Sequence, residues 1–181
     1  WRLGANALAV ERYGTGLAVH LSDGSVVEAD AVLSAVGLRP NVGLAQSAGL
    51  RVARGIVVDR FLESATGGIY ALGDCAEVAG LVLPYVMPIM QCARALAQTL
   101  AGTRTAVNYP AMPVVVKTPA HPVVVSPPPA GHGGRWEIGG GPGGIRATYR
   151  DEQDRLIGFA LTGEAVVERQ ALVRELPAWL E

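Results

Sequence analysis

A glycine and an aspartate directly follow a short apolar run near the middle of the chain. Residues 69–72 are Ile-Tyr-Ala-Leu, and Gly73 and Asp74 come next. An ionised carboxylate only accepts hydrogen bonds, so Asp74 suits the hydroxyl groups of a ligand, and Gly73 lets the backbone approach that ligand closely. We predict that a strand over residues 69–72 ends at a cofactor site; a turn or cap made by Asp74 is the alternative.

A helix start is predicted soon after this pair. Pro88 suits the first turn of a helix, where its missing N–H would have no partner, and the apolar residues after it have helical spacing. The first N–H groups of a helix are unpaired and carry partial positive charge. Val86 and Met87 are therefore candidate contacts for an electron-rich ligand. The alternative is that residues 84–88 form only a rigid loop that enters a core helix.

A single lysine stands at the end of another apolar run. Lys117 is the one lysine in a chain whose other basic residues are arginines, and it follows the valines at 114–116. An amine at the end of a buried run requires a partner, because an unpaired buried charge is costly. Lys117 is therefore a third candidate site residue, unless its side chain extends from an edge strand into solvent.

The elements that must position these residues alternate between strands and helices. Residues 5–36 are predicted to be β structure, and the apolar run over residues 31–36 is typical of a strand covered on both faces. A short helix is predicted over residues 42–48, a strand over residues 55–59 and a long helix over residues 88–101. Farther along, a proline- and glycine-rich part contains short predicted strands at 113–117, 122–126, 135–138, 145–150 and 155–162, and then a helix at 164–176.

A glycine motif in this last part is interpreted as a loop. Gly139, Gly141 and Gly144 satisfy GxGxxG, but a dinucleotide-binding fingerprint needs a strand before it and a helix after it. Residues 145–149 read as a strand instead. The motif therefore predicts a flexible hairpin loop and no dinucleotide site.

Composition limits the function classes. The chain has 181 residues, half of them hydrophobic, and a net charge of −1, which allows one large or two small domains and predicts neither a nucleic-acid nor a membrane partner. No apolar run reaches membrane-spanning length and no cationic leader is visible. The two cysteines match no zinc or CxxC spacing. We expect a soluble, cytoplasmic protein.

Three strings carry a resemblance to a known family. Residues 34–41, 55–59 and 69–74 resemble the FAD-dependent pyridine nucleotide-disulfide oxidoreductases, and the likeness covers nearly the whole chain. Within that family it is greatest to the reductases that serve rubredoxin. The strings that carry this closer likeness lie at 71–78, 85–88, 92–102, 116–119 and 124–129.

The resemblance implies an α/β fold and a domain order. Partial doubly wound FAD- and NAD(P)-binding domains would be followed by an α+β C-terminal domain with an antiparallel sheet. Residues 1–36 would end the NAD(H)-binding domain, residues 37–104 would form the C-terminal half of the FAD-binding domain, and residues 105–181 would form the C-terminal domain.

The resemblance also implies cofactors, partners and site roles. Asp74, next to Gly73, would bind the ribityl chain of FAD, Val86 and Met87 would face the flavin ring at the helix start, and Lys117 would lie against the ring. NADH would reduce FAD, and the electrons would pass singly to rubredoxin or a similar small one-electron carrier. We assign no catalytic acid or base and no metal ligand to these residues.

Two other functions remain open. One is a flavin reductase for another carrier, such as a ferredoxin or a nitrite-reducing partner; the other is a non-enzymatic docking module. The family's first strand–GxGxxG–helix unit, which holds the FAD pyrophosphate, does not occur in this sequence. We therefore expect a C-terminal fragment that lacks the N-terminal FAD-binding half, is inactive alone, and binds FAD weakly or not at all.

Overall fold

The alternating residues near the N-terminus form a three-stranded antiparallel sheet. Its strands, in the order β1-β2-β3, are β1 (Ala7–Tyr13), β2 (Gly16–Leu21) and β3 (Val26–Ala29). The turn between the second and third strands contains Gly24, whose φ of +82° favours glycine. The predicted β structure is confirmed for these strands.

The structure, a computed structural model, describes residues 1–116 and 118–181. By their internal contacts the residues divide into two units, Trp1–Leu38 and Arg39–Glu181. In the first unit, where every residue is described, Ala18 is the one buried side chain. The sheet of this unit therefore has little core of its own.

The strand predicted over residues 31–36 does not form. These residues have no regular secondary structure, and Leu33 and Val36 are 90% and 93% exposed. A strand of this kind requires partners that pair with its backbone and cover both faces. No strand within the described part of the chain does so, which is why the apolar composition alone gave the wrong prediction.

The second unit opens with a small parallel sheet packed against a helix. Helix α1 (Gly43–Ser47) ends before Gly49, as predicted, and β4 (Ile56–Val58) pairs in parallel with β5 (Ala76–Val78). Helix α2 (Val86–Leu100) contributes Pro88, Cys92 and Ala95 to a core with both strands. Among the helically spaced apolar residues of α2, Leu96 packs against this core, whereas Ala93, Ala97 and Leu100 are exposed.

The strand predicted over residues 69–72 is also wrong. Only Tyr70 makes an isolated bridge, to Glu63, and the regular strand is β5, which starts at Ala76. The reason lies in the strand pairing, because β4 pairs with residues 76–78 and Ile56 lies opposite Ala76. Asp74 therefore lies in a turn that precedes a strand.

A five-stranded antiparallel sheet fills the C-terminal part, as predicted. Its order is β6-β7-β10-β9-β8, and Phe159 and Leu161 of its central strand are fully buried against α3 and the 3₁₀ turn before it. Its strands are β6 (Val114–Val116), β7 (Val123–Ser126), β8 (Arg135–Gly141), β9 (Gly144–Arg150) and β10 (Leu156–Thr162), followed by the 3₁₀ turn (Gly163–Glu168) and α3 (Arg169–Glu175).

The glycine motif lies in a hairpin, as interpreted from the sequence. Gly141 and Gly144 are the last paired residues of β8 and β9, and a strand follows the motif. Together with the antiparallel sheet, the parallel β4–β5 pair and its helices confirm the predicted mixed fold class. The boundary predicted between residues 104 and 105 stays a prediction. No helix in the described residues is long and apolar enough to cross a bilayer.

Candidate functional site

The Asp74 carboxylate lies on an exposed turn. Gly73 has a φ of +85° and open space where a Cβ would stand, and the Ala76 N–H donates to the Gly73 carbonyl at 3.0 Å. The carbonyl of Cys75 accepts from the Ile56 N–H at 2.8 Å, which ties this turn, residues 73–75, to β4. Asp74 is exposed and receives no hydrogen bond from any described residue. The backbone of the turn is thus anchored while its carboxylate remains available.

The start of α2 is uncapped. Tyr85 at the N-cap has extended backbone, makes no side-chain capping bond, and the first turn contains no acidic residue. Val86 and Met87 are 70% and 49% exposed, whereas Pro88 is buried. Because the first helical N–H groups have no intrahelical acceptor, this end of α2 can donate to an electron-rich group and favours negative charge. The helix begins two residues before the predicted first residue, Pro88.

A small cavity connects the 73–75 turn to α2. Gly73, Pro88, Ile89, Cys92 and Tyr109 are among the residues that line it. The structure therefore brings together two of the features predicted from sequence, the glycine–aspartate turn and the first turns of the long helix.

Burial sets the protonation of the polar groups beneath this site. It raises the pKa of the Cys92 thiol, although hydrogen bonds from Tyr109 and from the Gly73 backbone oppose that shift. Burial also raises the pKa of Tyr109, and the contact with Cys92 adds to the increase. The pKa of Tyr85 is raised to about 12, again by burial. All three groups are therefore neutral near pH 7.

The remaining predicted residue, Lys117, lies outside the described residues. The run before it forms β6, the edge strand of the C-terminal sheet, and its three valines are between 41% and 48% exposed. The prediction that this lysine belongs to the site is therefore still only a prediction.

Sequence reasoning missed the contact between Cys92 and Tyr109. The thiol and the phenol are 2.9 Å apart and both side chains are 2% exposed. Nothing in the sequence near Tyr109 indicates a partner for its side chain. The one available signal was that Cys92 lies one helical turn after Pro88, on the same face.

A larger cavity of about 1050 Å³ lies elsewhere in the second unit. Its walls are mainly apolar, with Leu83, Ile157 and Trp179 among them, and include Arg54 and Arg155. None of the predicted site residues within the described ranges lines it. This cavity is therefore separate from the 73–75 turn and the start of α2.

Two family models match the chain in succession. The model described as pyridine nucleotide-disulphide oxidoreductase matches residues 1–99, and the rubredoxin binding C-terminal domain matches residues 106–176. Apart from residues 100–102, the strings noted in the sequence fall inside the matched regions.

Similar proteins carry related names. The rubredoxin-NAD(+) reductase of Alcanivorax borkumensis is 52% identical over 98% of this chain and 47% of its own length. The protein of the same name in Acinetobacter baylyi is 49% identical over 90% of this chain and 42% of its own length. The chain spans about half the length of these curated relatives.

A solved structure extends the similarity to the backbone. The ferredoxin reductase for the CYP199A2 system from Rhodopseudomonas palustris is 27% identical, with a TM-score of 0.78. The match covers 96% of this chain and 45% of that one. Almost the whole length of this chain therefore follows the backbone of part of that reductase.

Proposed function

Because the chain belongs to the pyridine nucleotide-disulphide oxidoreductase family, we propose that it forms part of an FAD-dependent enzyme that passes electrons from NADH to rubredoxin. The observation that carries this proposal is the succession of the two matched regions, an oxidoreductase region over residues 1–99 and a rubredoxin binding domain over residues 106–176. The high identity to two rubredoxin-NAD(+) reductases supports it.

Asp74 holds the sugar-alcohol chain of FAD in this proposal. Its carboxylate is exposed and accepts no hydrogen bond within the described chain, so it is free to accept from the ribityl hydroxyls in charge-assisted bonds. Gly73 keeps the approach open, because no atom lies within 4 Å of the place a Cβ would occupy. Both features fit a polyol ligand.

Val86 and Met87 supply the second contact. Their backbone N–H groups stand at an uncapped helix start, where partial positive charge stabilises an electron-rich ring. When bound, FAD supplies the two-electron and one-electron chemistry that links NADH to a one-electron carrier. We include Lys117 as a further positive charge near that ring, on the strength of the family resemblance. No acid or base is required of these residues.

A second candidate is a reductase for a ferredoxin. It is favoured by the similarity to the ferredoxin reductase from Rhodopseudomonas palustris, whose 27% identity is lower than that to the rubredoxin-serving relatives. The two candidates share the flavin site and differ in the carrier. A docking module without enzymatic activity would differ from both candidates, because it would neither bind the flavin nor turn over.

The organisation and location belong to the same proposal. Residues 1–36, 37–104 and 105–181 would serve NADH binding, FAD binding and carrier contact in turn. A cytoplasmic location is supported by Cys75 and Cys92, which are both free thiols, as expected in a reducing compartment.

The first experiment is the visible absorption spectrum of the purified chain with and without added FAD. We expect a folded chain with weak or no flavin bands, because the phosphate-binding GxGxxG unit of the family does not occur in the sequence. Stoichiometric flavin retained by the chain alone would contradict that expectation. It would mean that Asp74 and the start of α2 suffice for binding.

The second experiment restores the other half of the site. A chimera joins the N-terminal half of the Alcanivorax relative to this chain, and NADH oxidation is followed with rubredoxin or a ferredoxin as acceptor. We expect bound FAD and faster turnover with rubredoxin. Preference for ferredoxin would favour the second candidate, and a folded chimera without FAD would overturn the proposed function.

A further inference from the structure

The large cavity of the second unit lies where two hydrophobic cores meet. Leu83 and Trp179 line it and also pack against the core shared by α2, β4 and β5. Leu156 lines it from the other side and belongs to the core of the C-terminal sheet. Ligand pockets occur preferentially between packed regions of this kind, and a volume of about 1050 Å³ is large enough for a small organic ligand.

The apolar walls of this cavity are incompletely covered. Leu83 and Trp179 remain half-buried although both pack against a core. Three consecutive prolines at 127–129 extend the apolar surface, and they stand close to β10, since a Cβ at Gly158 would lie 2.7 Å from the Pro128 nitrogen. A ligand with an apolar body would remove this surface from water, which is favourable.

Positive charge accompanies the apolar walls. The charged side chains among the described lining residues are three arginines and one glutamate, Arg54, Arg150, Arg155 and Glu175. Arg155 is already paired, because its Nε lies 2.8 Å from Asp151 Oδ2. Arg150 is paired as well, with 3.4 Å between its Nε and Glu137 Oε2. The lining arginine that has no counter-ion among the described residues is therefore Arg54.

Arg54 is held at the rim of the cavity with most of its donors available. Its backbone N–H donates to Glu77 Oε2 at 2.8 Å, and its Nη2 donates to the Gly80 carbonyl at 2.8 Å. The exposed guanidinium forms no ion pair with a described residue. Because a guanidinium has five N–H donors, the remaining ones can bind an anion.

We propose that the large cavity binds an amphipathic carboxylate, with its apolar body against Ile157 and Trp179 and its carboxylate on Arg54. The planar fork of a guanidinium matches a carboxylate, and the charge-assisted bonds between them are stronger than neutral hydrogen bonds. An uncharged molecule with the same apolar body would gain only the apolar contact. The predicted flavin contacts within the described ranges do not line this cavity, so the inference does not depend on the proposed function.

The test compares three amphiphiles that share one alkyl chain and differ in the head group. Decanoate, 1-decanol and decylammonium are titrated into the full chain, below the concentrations at which they aggregate, while tryptophan fluorescence is followed. Trp1→Phe and Trp136→Phe are introduced first, so that the signal comes from Trp179, the tryptophan that lines the cavity. We expect a saturable change with decanoate, affinity about tenfold lower for 1-decanol, and the lowest affinity for decylammonium.

Arg54→Gln separates the charge from the apolar surface. We expect this variant to bind decanoate about tenfold more weakly and 1-decanol with unchanged affinity. Arg94→Gln is the matched control, because Arg94 is exposed on α2 and does not line the cavity. Both amphiphiles should bind this control as they bind the chain that retains all its arginines.

Three results would overturn the inference. They are a decanoate signal that does not saturate, equal affinities for decanoate and 1-decanol, and a decanoate affinity that is the same in Arg54→Gln and Arg94→Gln. Should Arg54→Gln unfold the chain, the comparison of the three head groups decides, since it needs no substitution at Arg54.

The chimera repeats the titration with the N-terminal half present, with and without FAD. Decanoate affinity is expected to be the same in all three samples. Loss of binding in the chimera would mean that the added half fills the cavity, and competition with FAD would mean that decanoate occupies the flavin site; each would contradict the inference. A chimera that binds decanoate and no FAD would overturn the proposed function alone.

Discussion

Asp74 is the residue whose substitution best separates binding from folding. Its carboxylate is exposed and accepts no hydrogen bond from the described residues. Asp74→Ala therefore removes no hydrogen bond to another described residue, and we expect the free energy of unfolding to change by less than about 0.5 kcal/mol. The effect should appear only when FAD is present.

The expected loss of FAD affinity follows from the kind of hydrogen bond that is lost. A hydrogen bond to a charged group contributes about 1.5–3 kcal/mol, which corresponds to about 10- to 150-fold in the dissociation constant. Asp74→Ala in the chimera should weaken FAD by that factor. Asp74→Asn, which keeps one oxygen acceptor but loses the charge, should have an intermediate effect.

Asp59 provides the matched control. One of its carboxylate oxygens accepts the Phe61 and Glu63 N–H groups at 2.8 and 3.0 Å, so Asp59→Ala should lower the free energy of unfolding by about 1–3 kcal/mol. FAD affinity is measured by titration of flavin fluorescence, and stability by urea unfolding of the chain. Asp74→Ala with unchanged FAD affinity, or with a stability loss equal to that of Asp59→Ala, would refute the assignment.

Three further predictions concern the protonation and reactivity of described side chains. A thiol reagent should modify the half-buried Cys75 in the native chain and reach Cys92, which is 2% exposed, only on unfolding. Tyr85 and Tyr109 keep their protons in the folded state at pH values where the unfolded chain loses them, because their pKa values are raised. The contribution of these two tyrosines to stability should therefore be constant up to about pH 10 and fall above it, by up to about 1.4 kcal/mol per pH unit for each tyrosine. Burial raises the pKa of Asp151, but hydrogen bonds from Arg155 and Gln153 outweigh it and leave the pKa below its usual 3.8. The contribution of Asp151 should be present above about pH 4 and lost as the pH falls, so Asp151→Asn should flatten the acid limb of a stability–pH curve.

Each of these three predictions can be checked with a substitution in the chain. Cys75→Ala should abolish the fast thiol reaction and leave the slow one. Tyr109→Phe should make the alkaline limb shallower, and an alkaline limb that is unchanged in this variant would contradict the explanation. An acid limb that is the same with and without Asp151→Asn would exclude that carboxylate as its cause.

The local structure of the candidate site could be predicted from the sequence where it depends only on neighbouring residues. The start of α2 follows from Pro88 and the helical spacing after it, and the structure begins that helix at Val86. Asp74 is exposed and Gly73 has a positive φ, while their use as cofactor contacts stays a prediction. These features depend on a few neighbouring residues, which a single sequence displays.

The strand beside the site was misplaced because pairing is a tertiary property. An apolar run over residues 69–72 looks like a strand, yet β4 pairs with residues 76–78. Gly55 contributes to this close approach, since a Cβ there would lie 2.9 Å from backbone atoms of Ala76 and Glu77. Glu77 adds to it by accepting the Arg54 and Gly55 N–H groups. None of this is visible in the pattern of hydrophobic residues.

The contact between Cys92 and Tyr109 could not be predicted from the sequence either, because it too depends on tertiary structure. It joins a helix to a segment beyond the helix end, and Tyr109 owes its position to backbone bonds with Trp179 and Leu180. Long-range backbone pairing of this kind leaves no local signature in residue type or spacing.

The exposed apolar run over residues 31–38 has a consequence for handling the chain. Leu33, Val36 and Leu38 are 90%, 93% and 68% exposed, and the backbone around them has no strand partner among the described residues. Exposed apolar segments with open backbone promote pairing between molecules. Light scattering should therefore rise with protein concentration and with added sulfate, and dilute samples at low salt are the right material for the flavin titrations.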